Sequence, residues 1–515
     1  MMEGSEIEMK HYQCKLWDNC DISFNCVVSG GNPFDIRLWG VFSCSDKSLR
    51  IPGFYDGEGN WILRFMPSQA GQWNFVTESD IPALDKLEGT VTAEQDSGGN
   101  RGRIIRKTDD IRYLAWENGE PYFLIGFEAD WLGLTDLGEA NDIPRAKRLI
   151  DDIACNGFNH VLMNVYAHDA PWGGLLGRDS PYDFSCPPIW PFGGDNDHPR
   201  YDELNPDFFK KLDKVVMYMR DKGVICHLMI YVWNKKVSWP EQNSPSDKRY
   251  FDYVIARYLG FSNILWDVSK EALTYGYCGP EYISSKCLRI RELDAYGHLL
   301  TVHDREFCDA HPEQVDIISV QNWRSGLYEL MYTLRETYQG KPVYNIEHGG
   351  YESSPFLMAP GNYEDPVLCL ERNYFCLFAG VYSTYYWQGC SWNIVCYEPS
   401  ALPPERQPRF HYFLKMQNFF TKYPFHEYLP VPEGRYSSNG YVLRAGDDRI
   451  LLLKRAEAYC THLVNLGTFS SCSVEWFNPL TGEFSPQEEI SAGHFLCLRS
   501  PWNNHFSIAV ITINR

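Results

Sequence analysis

Apolar and polar residues alternate in short runs over the first 108 positions of the chain. The pattern is clear in DISFNCVVSG and in SLRIPGFYDGEGNWILRFMPSQAGQWNFVTES, where Gly, Asp and Pro separate the runs. Alternation with a period of two places every second side chain on one face of a strand, and the separating residues favour turns. The pattern therefore predicts a β-sandwich over residues 1–108.

Between residues 109 and 428 the pattern changes to apolar strands separated by helical spacing, as in IPRAKRLIDDIACNG and FFKKLDKVVMYMRDKG. Both helical segments end in Asn-Gly or Lys-Gly, which commonly terminates a helix. Eight apolar segments predict strands: PYFLIGF, GFNHVLMNV, GVICHLMIYV, NILWDV, LLTV, DIISV, KPVYNI and VYSTYYW. Eight strand-helix alternations indicate a (β/α)8 TIM barrel over residues 109–428.

Alternation returns over residues 429–515, for example in NGYVLRAGDDRILLLKRAEA and FSIAVITIN, and predicts a second, smaller β-sandwich. Single domains usually divide beyond about 250 to 300 residues, so several domains are expected in a chain of 515 residues. The predicted fold class is multidomain α/β, with a central TIM barrel flanked by two β-sandwiches.

Composition narrows the range of partners. The formal net charge of -20 and the pI near 5.2 disfavour binding to nucleic acid or to an anionic membrane, because the protein would repel phosphates. The N-terminus lacks a basic stretch followed by an apolar run, and no run of about 18 apolar residues occurs. We expect a cytoplasmic protein without membrane or nucleic-acid partners; self-association into a homo-oligomer stays open.

Motifs for cofactors or metals do not stand out in the sequence. No GxGxxG follows the first predicted barrel strand, and no GxxxxGK[ST] occurs. The 17 cysteines include no CxxC pair, which favours reduced thiols, and His227, His303, His311 and His348 share no close spacing. The sequence therefore predicts neither a cofactor nor a metal.

Barrel enzymes place their functional residues at the C-terminal ends of the strands, where the loops meet at one mouth. Nearly every predicted strand is followed by polar or aromatic residues. The high aromatic share of 15% is typical of proteins that bind flat ligands such as sugars. Position at the C-terminal end of a predicted strand indicates the following substrate-binding residues: Asp130, Trp131, Asn164, Tyr166, His168, Trp233, Lys270, His303, Gln321, Trp323, His348 and Trp387.

Two glutamates directly follow buried strands on opposite sides of the predicted barrel. Glu271 follows the fourth strand and Glu347 follows the seventh. A pair of carboxyl groups that flank one bond can hydrolyse a glycoside, because one protonates the departing oxygen while the other attacks or activates water. A separation of about 5 to 5.5 Å gives retention of configuration, and about 6.5 to 9.5 Å gives inversion.

Several motifs carry a resemblance to a known family. They are PGFYDGEGNW, RFMPSQAGQW, ENGEPYFLIGFEADWL, NGFNHVLMNVY, NILWDVSKEALTYG, PVYNIEHGGYE and VEWFNPLTGEF. The chain resembles clan-A glycoside hydrolases, and most closely the apiosidase-like and uncharacterised bacterial glycosidases. This resemblance implies an immunoglobulin-like domain before the barrel and a small β-sandwich after it.

The resemblance also implies roles for individual residues. It makes Glu271 the general acid/base, Glu347 the nucleophile and Trp387 the aromatic floor beneath the reacting sugar. His348 or His303 is then a candidate partner for an ionised Glu347. Clan members typically carry Asn just before the acid/base, where this chain has Lys270. Three alternatives stay open for this lysine: it binds a hydroxyl, it binds the carboxylate of a uronic acid, or it points away, which side-chain alternation along an extended chain favours.

The leading hypothesis is a retaining glycoside hydrolase that acts on plant or microbial oligosaccharides. The alternative is a carbohydrate-binding protein with an inactive barrel. A long loop follows the second predicted strand, and its Trp172, Tyr182 and Trp190 are candidates for stacking on further sugar rings.

Overall fold

A computed structural model describes residues 10–95, 99–136, 138, 142–168, 189–348, 365–387, 396 and 398–514. The order predicted from the sequence, a β-sandwich, a barrel and a second β-sandwich, is confirmed. Within the described ranges, no helix combines the length and the apolar character needed to cross a membrane.

The N-terminal β-sandwich consists of a five-stranded sheet, β1-β8-β7-β3-β4, and a three-stranded sheet, β2-β6-β5. Rings from the two sheets pack together: Phe42 stacks on Phe65 with centroids 4.0 Å apart, and Phe24 meets Phe75 edge-on. The strands are β1 (Lys10–Lys15), β2 (Cys20–Asn25), β3 (Leu38–Cys44), β4 (Lys47–Pro52), β5 (Phe54–Tyr55), β6 (Asn60–Phe65), β7 (Gly71–Ser79) and β8 (Glu88–Glu94).

A small antiparallel sheet of β9 (Ile104–Arg106), β10 (Leu114–Trp116) and β11 (Pro121–Tyr122) precedes the barrel. The single strand predicted for PYFLIGF is therefore wrong in its first half, since the barrel strand begins only at Ile125. The side chain of Asn159 explains the break. Its amide nitrogen donates to Phe123 O at 2.8 Å and its oxygen accepts from Ile125 N at 2.9 Å. These two backbone groups therefore bind a side chain instead of the backbone of a neighbouring strand.

The barrel contains eight parallel strands in the order β18-β17-β16-β13-β12-β21-β20-β19. At its seam, Thr301 Oγ1 lies 2.7 Å from Ser319 Oγ and donates to Ile317 O at 2.9 Å. The strands are β12 (Ile125–Glu128), β13 (His160–Asn164), β16 (Ile225–Val232), β17 (Ile264–Lys270), β18 (Leu300–Thr301), β19 (Ile318–Gln321), β20 (Val343–Glu347) and β21 (Tyr382–Tyr385). All eight predicted barrel strands are present.

A polar layer fills the barrel interior below the mouth. His160 Nε2 lies 3.1 Å from His227 Nδ1, and His227 Nε2 lies 3.0 Å from Asp267 Oδ2. Gly126 lies beside the Tyr344 hydroxyl, where a Cβ would come within 2.1 Å of the oxygen. A glycine is therefore needed on the first barrel strand, and the buried polar groups are satisfied by one another.

Helices cover the outside of the barrel, and several start with Pro after a capping side chain. Asn205, Ser244 and Asp365 each accept a backbone N–H of the first turn. The helices are α1 (Pro144–Cys155), α2 (Pro206–Asp221), α3 (Pro245–Tyr258), α4 (Pro280–Leu293), α5 (Arg305–Ala310), α6 (Leu327–Thr337), α7 (Pro366–Phe378) and α8 (His411–Lys422). A hairpin of β14 (Phe192–Gly194) and β15 (Pro199–Leu204) precedes α2.

The C-terminal β-sandwich has a six-stranded sheet, β22-β23-β24-β29-β26-β27, and a two-stranded sheet, β25-β28. Its core is separate from the main one and contains Leu463 and Leu498 from the small sheet with Leu452 and Ile511 from the large one. The strands are β22 (Leu429–Pro430), β23 (Gly440–Ala445), β24 (Arg449–Lys454), β25 (Thr461–Leu463), β26 (Phe469–Phe477), β27 (Glu488–Gly493), β28 (Leu496–Leu498) and β29 (Ser507–Asn514).

A buried ion cluster joins the N-terminal sandwich to the barrel. Arg64 on β6 and Arg257 on α3 both bind the carboxylate of Asp213 on α2, at 3.1 and 2.7 Å. Arg64 also binds Asp21, and Arg257 binds Asp56, so each arginine contacts a carboxylate of the sandwich. The arginine side chains are 3% and 1% exposed. Asp213 therefore holds two cations that water does not reach.

We expect Asp213→Ala to lower the free energy of unfolding by about 3 to 5 kcal/mol, because it removes the carboxylate that the two buried arginines share. Urea denaturation followed by circular dichroism measures the change. Asp80→Asn is the matched control, since Asp80 pairs with Arg37 at the surface. Equal midpoints for the two variants would contradict a stabilising role for the cluster.

Candidate active site

A cavity of about 640 Å³ opens at the C-terminal ends of the barrel strands. Its lining comes from the C-terminal ends of strands four, five and six, from the loops that follow them, and from helices α5 and α6. The described lining residues are Glu271, Thr274, Tyr275, His303, Asp304, Arg305, Glu306, Gln321, Asn322, Trp323, Arg324 and Leu330. One of the two predicted carboxyl groups therefore lies in the cavity wall, half-buried.

Glu271 has an unusual backbone conformation directly after β17. Its φ is 56°, in the left-handed region, which costs a non-glycine residue roughly 1 to 2 kcal/mol. This conformation interrupts the alternation of side chains along the strand. The expectation that Lys270 points away from the site is therefore wrong: Lys270 is 1% exposed and reaches the carboxylates around Glu347.

Two amide side chains bind the Glu271 carboxylate. Asn234, which follows strand three, donates to Glu271 Oε2 at 2.6 Å. Gln321, at the end of strand six, lies 3.5 Å from Glu271 Oε1 and is paired in the sheet with Glu347 on strand seven. Gln321 therefore contacts the carboxyl group that follows strand four and neighbours Glu347 at the end of strand seven, so these residues meet at one mouth.

Glu347 ends strand seven and is 2% exposed. Burial raises its pKa to about 7, the nearby Lys270 ammonium lowers it, and the Glu271 and Asp130 carboxylates raise it. Lys270 Nζ lies 3.8 Å from Glu347 Oε2, and His303 Nε2 lies 3.9 Å from the same oxygen. Lys270 is thus the cation nearest to Glu347 among the described residues.

The two histidines expected to hold Glu347 are neutral. Burial, together with the charge of Lys270, lowers the pKa of His303 well below its usual value. Burial also lowers the pKa of His348 to about 3, and its backbone carbonyl accepts a hydrogen bond from Arg372 Nη2 at 2.9 Å. Neither imidazole therefore supplies a positive charge to Glu347 near neutral pH.

Lys270 lies in a cluster of buried charges below the mouth. Its ammonium donates to Glu128 Oε1 and lies 3.3 Å from Asp130 Oδ1, while Lys235 Nζ lies 3.2 Å from Asp130 Oδ2. Burial opposes these charges, but Asp130, Glu128 and Glu347 raise the pKa of Lys270 well above its usual value. Likewise, the two lysines outweigh burial and hold the pKa of Asp130 at about 2.

Several buried polar atoms at the strand ends have no hydrogen-bond partner within the described part of the chain. Buried polar atoms are rarely left without a partner, because each costs about 1 to 3 kcal/mol. A ligand rich in hydroxyl groups would satisfy donors and acceptors alike. The atoms are Glu128 Oε2, Asn164 Oδ1, Asn234 Oδ1, Glu347 Oε2 and both ring nitrogens of His303.

Tyr166 and His168 lie at a different, smaller cavity of about 210 Å³. Trp190 lines the same cavity, but it is 4% exposed and packs on Tyr166 and Phe192. Its ring is therefore part of the protein core, contrary to the stacking surface expected from the sequence. Trp172 and Tyr182 lie outside the described residues.

The four predicted tryptophans differ in exposure. Trp131 and Trp387 are buried, at 3% and 0% exposed. Trp323 and Trp233 are half-buried; Trp323 lines the main cavity. Trp233 stacks on Tyr231 and lies against Gly276, where a Cβ would come within 2.6 Å of the indole.

Four residues of this region were not among the sequence-predicted site residues: Glu128, Asn234, Lys235 and Asp304. Each lies at or just after the end of a barrel strand, so the rule that selected the others also applies to them. Among the described side chains, no group of three or more His, Cys, Asp or Glu is arranged to hold a metal ion.

Comparisons with solved structures show the fold. The structure of a candidate glycoside hydrolase from Bacteroides vulgatus ATCC 8482 is similar over 98% of this chain and 100% of that one, with a TM-score of 0.80 and 21% identity. A family 5 glycoside hydrolase from the same organism matches 80% of this chain and 94% of its own, with a TM-score of 0.59 and 14% identity.

Comparisons with families locate the two matching regions. A domain of unknown function, DUF5060, matches residues 13–80. The apiosidase-like catalytic domain matches residues 108–389, a range that includes all eight barrel strands and both glutamates. A search of curated proteins gave no significant match. Because the catalytic-domain match covers more than half of the sequence, the chain belongs to the apiosidase-like family.

Proposed function

We propose that the protein is a retaining glycoside hydrolase acting on oligosaccharides, with Glu271 as general acid/base and Glu347 as nucleophile. The observation that carries the proposal is the position of both carboxyl groups at one mouth, where Gln321 lies 3.5 Å from Glu271 Oε1 and is paired in the sheet with Glu347. The glycoside hydrolase fold and the unpaired polar atoms around the pair support a sugar as the ligand.

The first step forms a glycosyl-enzyme ester. A Glu347 oxygen attacks the anomeric carbon as the bond to the leaving oxygen breaks, and the proton of Glu271 passes to that oxygen. In the second step the Glu271 carboxylate takes a proton from water. The water oxygen attacks the anomeric carbon, Glu347 leaves as a carboxylate, and Glu271 is protonated again. Two inversions give net retention, and one water is consumed.

The surroundings of the pair suit these two roles. Glu347 must be ionised to attack, and Lys270 at 3.8 Å favours the ionised form. Glu271 faces the cavity, where the leaving group departs and water enters, and Asn234 fixes one of its oxygens at 2.6 Å. The deeply buried carboxyl is thus the nucleophile, and the solvent-accessible one transfers protons.

A leaving-group series tests the role of Glu271. We expect Glu271→Gln to lower kcat/KM about 10²- to 10⁴-fold for aryl glycosides with poor leaving groups, because these need a proton. For 2,4-dinitrophenyl glycosides the rate of the first step should change little. The parent is first assayed on 4-nitrophenyl glycosides to find an accepted sugar.

The variant Glu292→Gln serves as the matched control, since Glu292 is an exposed glutamate on α4. An equal loss on both kinds of aryl glycoside would contradict the acid/base role of Glu271. Binding of oligosaccharides without turnover by the parent would instead favour a carbohydrate-binding protein with an inactive barrel.

A further inference from the structure

The carboxylate of Asp304 binds the backbone that directly follows Glu271. Asp304 Oδ2 accepts a hydrogen bond from Ala272 N at 2.9 Å, and Oδ1 accepts one from Leu273 N at 3.1 Å. Asp304 is 6% exposed and lies in the cavity wall beside Glu271. One buried carboxylate therefore holds two successive N–H groups immediately after the proposed acid/base.

These hydrogen bonds act at a point where the backbone needs outside support. The left-handed φ of 56° at Glu271 persists only where surrounding contacts fix it. Glu271 O accepts a hydrogen bond from Tyr275 N at 3.0 Å, so the segment after the strand folds into a tight turn. An extended conformation at Glu271 would open this turn and direct the carboxyl away from the side on which Lys270 lies.

Asp304 is itself held firmly in place. Its backbone carbonyl accepts hydrogen bonds from Phe307 N at 3.1 Å and Cys308 N at 3.2 Å, in the first turn of α5. The preceding residue, His303, donates its backbone N–H to Asp267 Oδ1 at 3.1 Å, inside the barrel. Strand five and α5 therefore provide a rigid base from which the carboxylate can position the neighbouring loop.

We propose that Asp304 is a positioning residue that keeps Glu271 in the conformation from which it protonates the leaving oxygen. This inference rests on the proposed function of Glu271. Both oxygens of Asp304 bind backbone N–H groups, so Asp304 acts through the loop rather than on the sugar. Its loss should therefore weaken proton donation specifically.

The test compares Asp304→Asn with the parent on aryl glycosides of one accepted sugar. The asparagine side chain keeps one oxygen acceptor, but its NH₂ group is a donor and would face one of the two backbone N–H groups that Asp304 binds in the parent. We expect kcat/KM to fall about ten- to hundredfold for a poor leaving group such as 4-methoxyphenol, part of the contribution of general acid catalysis. For 2,4-dinitrophenyl glycosides we expect less than a threefold change. Asp309→Asn, on the same helix, should match the parent on both.

The outcomes separate the positioning role from a structural one. An equal loss on both substrates, or no loss on either, would overturn the role of Asp304. If the loss of activity in Glu271→Gln does not depend on the leaving group, the proposed function itself is contradicted. If Glu271→Gln shows this dependence and Asp304→Asn does not, only the positioning role of Asp304 is contradicted. Asp304→Ser, which keeps one hydroxyl acceptor, replaces Asp304→Asn if thermal unfolding shows that the latter is not folded, and the same criteria apply.

Discussion

Replacing Glu347 with Ala should lower kcat/KM by about 10⁴-fold or more, because it removes the carboxylate proposed to form the bond to the anomeric carbon. Sodium azide should then restore turnover of a 2,4-dinitrophenyl glycoside, since the small anion enters the space of the deleted carboxylate. The product should be a glycosyl azide of inverted configuration, which proton NMR identifies. Assays with and without azide measure the effect.

The azide result distinguishes two roles for this carboxylate. Rescue with inversion requires that Glu347 is the nucleophile, whereas a folded but unrescued variant would contradict the retaining route. Glu336→Ala is the control, because Glu336 is an exposed glutamate on α6 that pairs with Arg335. Its activity should equal that of the parent with and without azide.

Replacing Lys270 with Met should have the second large effect, on both activity and stability. Two charges about 4 Å apart interact by about 4 kcal/mol at an effective dielectric constant near 20. Loss of the ammonium 3.8 Å from Glu347 therefore favours the protonated form of the nucleophile. We expect kcat/KM near pH 7 to fall about 10²- to 10³-fold.

The pH profile shows whether this loss is electrostatic. Burial raises the pKa of Glu347 to about 7 in the parent, and a nucleophilic carboxyl group reacts only when ionised, so the proposed role predicts that activity rises with pH through about 7. Without Lys270 the pKa rises, and the acid limb of kcat/KM should move to higher pH, with partial recovery of activity there. An unmoved acid limb would contradict the role of Lys270.

Stability should fall in the same variant, because Glu128 and Asp130 lose a buried cation. Breaking such a pair costs about 3 to 5 kcal/mol. Lys286→Met is the matched control, since Lys286 is another buried lysine, paired with Asp247 at 2.6 Å. Lys286→Met should also lower the free energy of unfolding, but the acid limb of its kcat/KM profile should stay where it is in the parent. This control therefore separates the loss of stability from the electrostatic effect on Glu347.

Periodicity in the sequence was sufficient to predict the eight barrel strands and the two sandwiches. Strand four, for instance, was predicted from the mainly apolar run NILWDV, and all of this run except its first residue lies in β17. The break before strand one was missed because it depends on Asn159, a residue 34 positions after Ile125 whose side chain takes the backbone groups of that segment. Such long-range hydrogen bonds leave no trace in local spacing.

For the candidate site, the strand-end rule identified side chains that lie at the barrel mouth but did not predict their contacts. It placed Glu271, Glu347 and Gln321 at one mouth, yet it gave no reason to separate Tyr166 and His168 from them. These two lie at another cavity, where Tyr166 packs edge-on against Trp190. Tertiary packing, which the strand-end rule does not include, decides this.

The direction of Lys270 shows the limit of the pattern most clearly. Alternation along an extended chain predicts opposite directions for Lys270 and Glu271, and a single left-handed residue removes that constraint. Its partners Glu128 and Asp130 lie at least 140 positions away in the sequence. The lysine therefore lies below the mouth, 3.8 Å from the proposed nucleophile Glu347, an arrangement that the sequence did not predict.

Trapping of the covalent intermediate tests the central claim most directly. The parent is incubated with the 2,4-dinitrophenyl 2-deoxy-2-fluoro glycoside of an accepted sugar, and the labelled peptide is identified by mass spectrometry. A retaining glycosidase with Glu347 as nucleophile should gain one fluorosugar, on Glu347 within the peptide around PVYNIEHGGYE. A label on another residue, or none while the parent turns over the unfluorinated glycoside, would contradict this mechanism.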